Sequence, residues 1–339
     1  MVLSAQSIPR DGRSEHTARL AWNMTSHRLA TLSRLARARS WWHGLLGVVL
    51  VLAGCAKATP ERAGDLRPIS RAAFPLSVVD DSGRSVLVPR EPLRIITLLP
   101  SFTETVFALG VGARLVGVDD FSDYPNEVAR LPKLGGAYDT QLERVLALRP
   151  DLVLLSDDSK AAAALAGNGV NVFGASPRKL ADVFRVIERT GELVGRKAEA
   201  VGLTAGMRAE LAELESRVQG APKVSVYYEL DPTPYSVGPD SFIGVLIQKA
   251  GGQNIVPASL GDFPKLSPEL VIVQNPSVII GASLEEVRAR AGWSQIAAVQ
   301  SGRVYKWAAA EEHLLSRPGP RLPQALRALI AKLHPELPP

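Results

Sequence analysis

Two stretches far apart in this chain follow one plan. In "LERVLALRPDLVLL" Glu143 stands seven residues before Pro150 and an apolar run follows; in "PELVIVQNPSVIIG" Glu269 stands seven residues before Pro276 and another apolar run follows. Proline ends a helix because it has no N–H to donate and its ring crowds the preceding turn. Each stretch therefore predicts a short helix that begins at a glutamate and gives way to a buried strand. A carboxylate in a first helical turn also suits the positive end of the helix dipole, so the two glutamates alone do not establish a function. A chain that uses this unit twice is constrained to build two similar α/β halves.

The surrounding sequence extends the pattern. "FPLSVVDDSGRSVLVP" reads as two strands around a turn at Asp80–Gly83. "RIITLLP" is a buried strand, "FTETVFALG" a helix closed by Gly110, and "RLVGVDD" and "GVNVFGA" further strands. They define an N-terminal α/β lobe over residues 74–176. Residues 177–220 are helical, and their second stretch, "RKAEAVGLTAGMRAELAELESRVQ", would run about 36 Å at about 1.5 Å per residue. That length suits a brace between two lobes, although its apolar spacing also suits an oligomer seam. From 221 to 339, "KVSVYYEL", "FIGVLIQKAGG", "GRVYKW" and "LPQALRALIAKLHP" repeat the strand–helix alternation in a C-terminal lobe.

Residues 1–54 have a different character. They carry seven arginines and only Asp11 and Glu15 as acids, and Trp41–Leu52 is almost wholly apolar. A basic stretch followed by an apolar run too short to span a bilayer describes a secretory signal peptide. The single cysteine, Cys55, follows Leu52-Ala53-Gly54 and resembles the lipobox of bacterial lipoproteins, in which the thiol takes a lipid. Residues 55–73 then act as a tether. The whole chain has 39 basic and 34 acidic side chains. The leader holds all of the excess, so the remainder is neutral and gives no reason to expect nucleic-acid binding.

Other chemistries are poorly served. After the leader there are two histidines, His313 and His334, with His334 expected at the surface. Three or four convergent metal ligands are hard to assemble from them, and no metal site is expected. No nucleophile elbow or phosphate loop occurs, and the Asp119-Asp120 and Asp157-Asp158 pairs read as loop residues rather than acid–base catalysts. The chain is not expected to be an enzyme.

Lipobox, hairpin, "RIITLLPSFTETVFALGVGARLVGVDDFSDYP", "LERVLALRPDLVLL", bracing helix and "AGGQNI" together resemble the substrate-binding lipoproteins of ABC importers that carry vitamin B12, haem or iron-siderophores. The resemblance covers about residues 74–335. It implies two Rossmann-like α/β lobes joined by a long rigid α-helix, with a ligand cleft between them and little hinge motion. It also implies that Glu143 and Glu269, one on each lobe, dock the protein on its permease.

Within that family the vitamin B12 branch is most similar, through "FSDYP", "DPTPYSVGPDSF" and "GDFPKLSPE". By that resemblance Tyr124, Tyr138, Tyr235 and Phe263 line the cleft and stack on a corrinoid, while Arg317 and His313 meet its polar edge. Flat apolar walls with a few polar groups suit such a macrocycle. His313 stands where the branch can carry an acid, and Ala137 where it can carry an aromatic. Haem and siderophore remain as alternatives, with Tyr138 or His313 offered to haem iron and Arg317 to a siderophore. The resemblance thus implies a monomer anchored to a membrane through lipid, its folded part in the periplasm or at the cell surface. The partners are the importer's permease and ATPase, the ligand is a cobalt corrinoid, and no cofactor of its own is expected.

Overall fold

The computed structural model describes residues 74–338; the expected leader, Cys55 and the tether lie outside them. The described chain opens with an antiparallel hairpin of β1 (Leu76–Val79) and β2 (Ser85–Val88). Asp80 organises the turn, its carboxylate accepting from the backbone N–H groups of Ser82 and Arg84 and from Ser82 Oγ. The same carboxylate accepts from the backbone N–H of Gly174, which fastens the hairpin to the first lobe.

That lobe alternates β3 (Ile95–Thr97), α1 (Pro100–Ala108), β4 (Leu115–Val118), α2 (Leu142–Ala147), β5 (Leu152–Leu155), α3 (Ala161–Gly167) and β6 (Asn171–Gly174). Its sheet is parallel throughout, in the order β4-β3-β5-β6. All four residues of β5 are buried, as a parallel strand covered on both faces requires. Two helices then leave the lobe, α4 (Leu180–Leu193) and α5 (Lys197–Arg217).

The second lobe contains β7 (Val224–Asp231), β8 (Tyr235–Ser236), α6 (Phe242–Lys249), β9 (Gly252–Asn254), α7 (Pro268–Gln274) and β10 (Val278–Ile280). It continues through α8 (Leu284–Arg288), α9 (Ala297–Gln300), β11 (Val304–Tyr305), α10 (Ala309–Ser316) and α11 (Leu322–Leu333). Its parallel strands lie in the order β9-β7-β10-β11, and β8 adds an antiparallel pairing at the end of β7. Counted by their order in the chain, the four parallel strands of each lobe read 2-1-3-4.

The repeat extends to backbone detail. Six residues after each glutamate, Arg149 and Asn275 take left-handed φ values of 45° and 44°, and a proline follows each. These are the two non-glycine positive-φ residues of the described chain, and they close equivalent helices.

The bracing helix is α5, 21 residues and about 32 Å long at about 1.5 Å per residue. It buries Ala200, Thr204, Met207, Leu211 and Leu214, a stripe spaced by four and three. That stripe packs against α4 and against α11 of the second lobe. The apolar spacing that also suits an oligomer seam is thus covered by the chain's own helices. One hydrophobic cluster consequently runs from Ile95 and Phe102 of the first lobe through α5 to Leu326 and Leu329 of α11.

Candidate functional site: aromatic loops and an inter-lobe ion cluster

In a parallel sheet the loops beyond the C-terminal strand ends are where ligands meet the fold. The expected ligand residues fall in the segments that follow those strand ends in both lobes, with Tyr235 in β8 and His313 in α10. In the first, the loop after β4 carries Phe121 and Tyr124, and the next turn carries Tyr138. These are the three exposed aromatic rings among the described residues, at 47%, 45% and 48% exposure.

Buried polar groups hold the loop in place. Asp119 is 1% exposed, and its carboxylate accepts from the backbone N–H of Phe121 and from Ser122 Oγ. Burial pushes the Asp119 carboxyl above the usual range. Thr97, Thr103 and Ser122 continue the chain of hydroxyls beneath the loop, each link 2.7 Å. Asp120 accepts from the N–H of Gly135 and draws the Tyr138 turn alongside. Gly136 permits the close approach, since a Cβ there would stand 3.0 Å from the Phe121 ring. The Asp119-Asp120 pair is therefore scaffolding; Asp157 likewise pairs with Arg178, and Asp158 accepts from Ser156 Oγ.

In the second lobe Tyr235 and Phe263 share one ribbon. Leu266 N–H donates to Pro234 O, Ser236 N–H to Pro264 O and Gly238 N–H to Asp262 O. Both rings are half-buried, and Phe263 packs at the edge of the main core. Gly238 is needed for this approach, because a Cβ there would lie 2.0 Å from the carbonyl oxygen of Gly261.

The remaining residues meet in a cluster that joins the lobes. Glu104 of α1, 2% exposed at its side chain, accepts from Arg317 Nη1 at 3.3 Å and from Arg321 Nε at 2.8 Å. Arg317 also donates to Asp123 Oδ1 at 2.6 Å and to the carbonyl of Phe121 at 3.0 Å. His313 Nδ1 lies 3.0 Å from Asp123 Oδ2. The guanidinium of Arg321 sits 4.2 Å from the centre of the Tyr124 ring. The structure thus brings Tyr124, His313 and Arg317 together, with Asp123 as the hub.

Arg317 is 7% exposed and fully engaged with Glu104, Asp123 and the Phe121 carbonyl. This is a different environment from the ligand-facing one the resemblance implies. Burial alone would raise Asp123, but the hydrogen bond and charge of Arg317 and the charge of His313 outweigh it and hold the carboxyl below the usual range. Burial, then the nearby charge of Arg317, lowers the His313 imidazole, outweighing the pull of Asp123.

Glu143 and Glu269 each occupy the second position of a short helix, α2 and α7, whose N-terminus lies toward the C-terminal strand edge. Both are exposed, and neither has an ion-pair partner among the described residues.

His334 corrects an expectation. It is 2% exposed rather than at the surface, because the chain turns inward as α11 ends and Gly251 leaves space for the ring. A Cβ on Gly251 would stand 2.5 Å from His334 Nε2. His334 also lines a groove of about 530 Å³ between α5 and α11, which contains none of the expected ligand residues.

Sequence reasoning missed Glu104, Asp123 and Arg321. The available signal was an acid amid apolar residues in "FTETVFALG" and two arginines four apart after α10. Phe121 was legible only as part of "FSDYP".

Two like α/β lobes with aromatic loops at their C-terminal strand edges define a bilobal solute-binding protein. The periplasmic binding protein family model matches residues 95–311, and the chain belongs to that family. An ABC transporter substrate-binding lipoprotein of Bacillus subtilis, itself uncharacterized, is 30% identical over 87% of this chain and 96% of its own length. A cobalamin-binding protein of Halobacterium salinarum is 30% identical over 84% of each chain. Among solved structures, a periplasmic haem-binding protein of Roseiflexus superposes with a TM-score of 0.64 at 26% identity, over 71% of this chain and 98% of its own. Among the described residues no helix is long and apolar enough to cross a membrane.

Proposed function

We propose that this protein is the lipid-anchored substrate-binding component of an ABC importer, and that its cargo is a corrinoid, vitamin B12 or a relative. The observation that carries the cargo is the charge state of the polar cluster. Its two arginines are already matched by Glu104 and Asp123, and His313 is held toward its neutral form. What the loops still offer is aromatic: Phe121, Tyr124 and Tyr138 on one lobe, Tyr235 and Phe263 on the other. A neutral macrocycle edged with amides suits such walls better than the carboxylates of haem or the charged groups of a siderophore.

On this reading Arg317 acts by position, holding Asp123 and the Phe121 carbonyl. His313 and the four expected rings contact the cargo. Glu143 and Glu269 dock the loaded protein on the permease. Cys55 carries the lipid, and the folded part works outside the cytoplasmic membrane as a monomeric carrier rather than an enzyme. The cobalamin-binding protein of Halobacterium salinarum supports the cargo. Haem is the second reading, favoured by the imidazole–carboxylate pair of His313 and Asp123 and by the haem-binding Roseiflexus protein.

Titration calorimetry of the purified chain with cyanocobalamin, cobinamide, haem and a ferric siderophore tests the reading. One-to-one binding confined to the corrinoids is the expected result. Binding of haem or siderophore alone would remove the corrinoid assignment while leaving the importer role intact.

A further inference from the structure

His313 shares one feature with metal-binding imidazoles, a carboxylate beside one of its ring nitrogens. A ligating histidine almost always presents one ring nitrogen to the metal while the other N–H is held by a carboxylate or carbonyl, which fixes tautomer and orientation. Here Nδ1 faces Asp123 Oδ2 at 3.0 Å. Asp123 is itself held by Arg317 at 2.6 Å, and Arg317 by the buried Glu104. The imidazole therefore stands on a three-residue support that crosses between the lobes. The opposite nitrogen, Nε2, has no hydrogen-bond partner among the described residues and is not a buried atom. Its ring remains one-third exposed, with Asp123 of the aromatic loop against it and the charge of Arg321 nearby.

The negative charge of Asp123 beside Nδ1 favours the proton on that nitrogen and leaves the lone pair on Nε2. Burial and the nearby guanidinium further disfavour a proton there. By contrast, the buried His334 pairs through Nδ1 with Glu336, but its Nε2 is shut against Gly251 and cannot reach cargo. Among the described histidines, only His313 combines an oriented ring with an accessible second nitrogen.

We propose that His313 Nε2 is an axial ligand to the cobalt of the bound corrinoid, with Asp123 as its positioning residue. This rests on the corrinoid reading given above. The step is ligand exchange: the Nε2 lone pair forms a bond to cobalt(III), and the water that held the position leaves. No electron is transferred, and the Nδ1 proton stays on the ring, facing the Asp123 carboxylate. The protein would then favour corrinoids with an exchangeable axial position over those whose two positions are both firmly occupied.

Aquocobinamide, whose axial waters exchange, and dicyanocobinamide, whose axial cyanides do not, separate the contributions. With the full chain, aquocobinamide should bind with a shift of its visible bands toward those of an imidazole complex, and dicyanocobinamide should bind without one. H313A should lose the shift and bind aquocobinamide about tenfold or more weakly, a larger loss than the one it shows for dicyanocobinamide; free imidazole should restore the shift. D123N should retain a weakened shift. Should H313A fail to fold, cobalt(II) cobinamide on the wild-type chain gives an independent reading, because an axial imidazole splits its paramagnetic resonance lines through nitrogen. Corrinoid binding with no spectral shift and no nitrogen splitting, or an equal shift in a folded H313A, overturns the ligation and leaves the carrier reading standing. Failure to bind either cobinamide overturns the corrinoid reading and the ligation together.

Discussion

Glu104 in the first lobe and Arg321 in the second lie 217 residues apart in the chain, and Arg321 donates to that carboxylate through Nε at 2.8 Å. Arg317 donates to the same carboxylate. The lobes are therefore tied at a second place besides α5, through charges that are almost wholly out of water. Removing one partner of a buried pair leaves the other without compensation, which costs more than the pair itself contributes.

Glu104→Gln should accordingly lower unfolding stability by about 3 kcal/mol. Equilibrium urea denaturation is the check. A loss below about 0.5 kcal/mol would mean that the arginines find replacement partners and the tie is dispensable.

The exposed glutamates should behave in the opposite way. Changing Glu143 and Glu269 together to alanine should alter stability by less than about 0.5 kcal/mol and leave cargo affinity within about twofold, a difference of well under 1 kcal/mol. Uptake by cells should nevertheless stop. Normal uptake by the double variant would remove the docking role.

Gly238→Ala probes the ribbon that carries Tyr235 and Phe263. The new Cβ would lie 2.0 Å from a backbone carbonyl, so the loop segment at residues 261–267 must move. A stability loss of about 1–3 kcal/mol is expected from such overpacking. Cargo affinity should fall with it by about tenfold, the equivalent of roughly 1.4 kcal/mol. Unchanged calorimetric affinity in a folded variant would place the two rings outside the binding surface.

Acid should weaken the fold in two steps. His313 has its folded-state value lowered from the ordinary 6.5, so the unfolded chain binds the proton more readily. Stability is then full above pH 6.5 and falls as the pH drops through the folded-state value. Asp123 is lowered from 3.8, so its contribution is present above that value and is lost only on further acidification through the lowered one. His313→Gln should abolish the first step and preserve the second. Melting temperatures measured across pH 7 to 3 decide it; an identical upper step in the variant would assign that step to another group.

The twin lobes were legible because each element carries a local signal. Glu143 and Glu269 mark helix starts, Pro150 and Pro276 mark their ends, and the runs after them have the apolar density of buried parallel strands. The long helix was legible for the same reason, through its spacing at Ala200, Thr204, Met207, Leu211 and Leu214. The ion cluster had no such signal. Glu104, Asp123, His313, Arg317 and Arg321 come from three separate parts of the chain, and nothing periodic relates them. Arg317 was visible as a candidate but not its burial, which depends on Glu104 being present to receive it. His334 was misplaced because a residue just past a helix and before a proline is ordinarily exposed. The missing side chain of Gly251, on another element, draws it inside.

Glu143 and Glu269 stand exposed at equivalent places on the two lobes, while α5 and the Glu104 cluster hold the lobes together. For a partner that grips both carboxylates, these are two handles on a stiff frame. A pull that parted the lobes at that point would have to take Glu104 from its two guanidiniums in a place almost out of water.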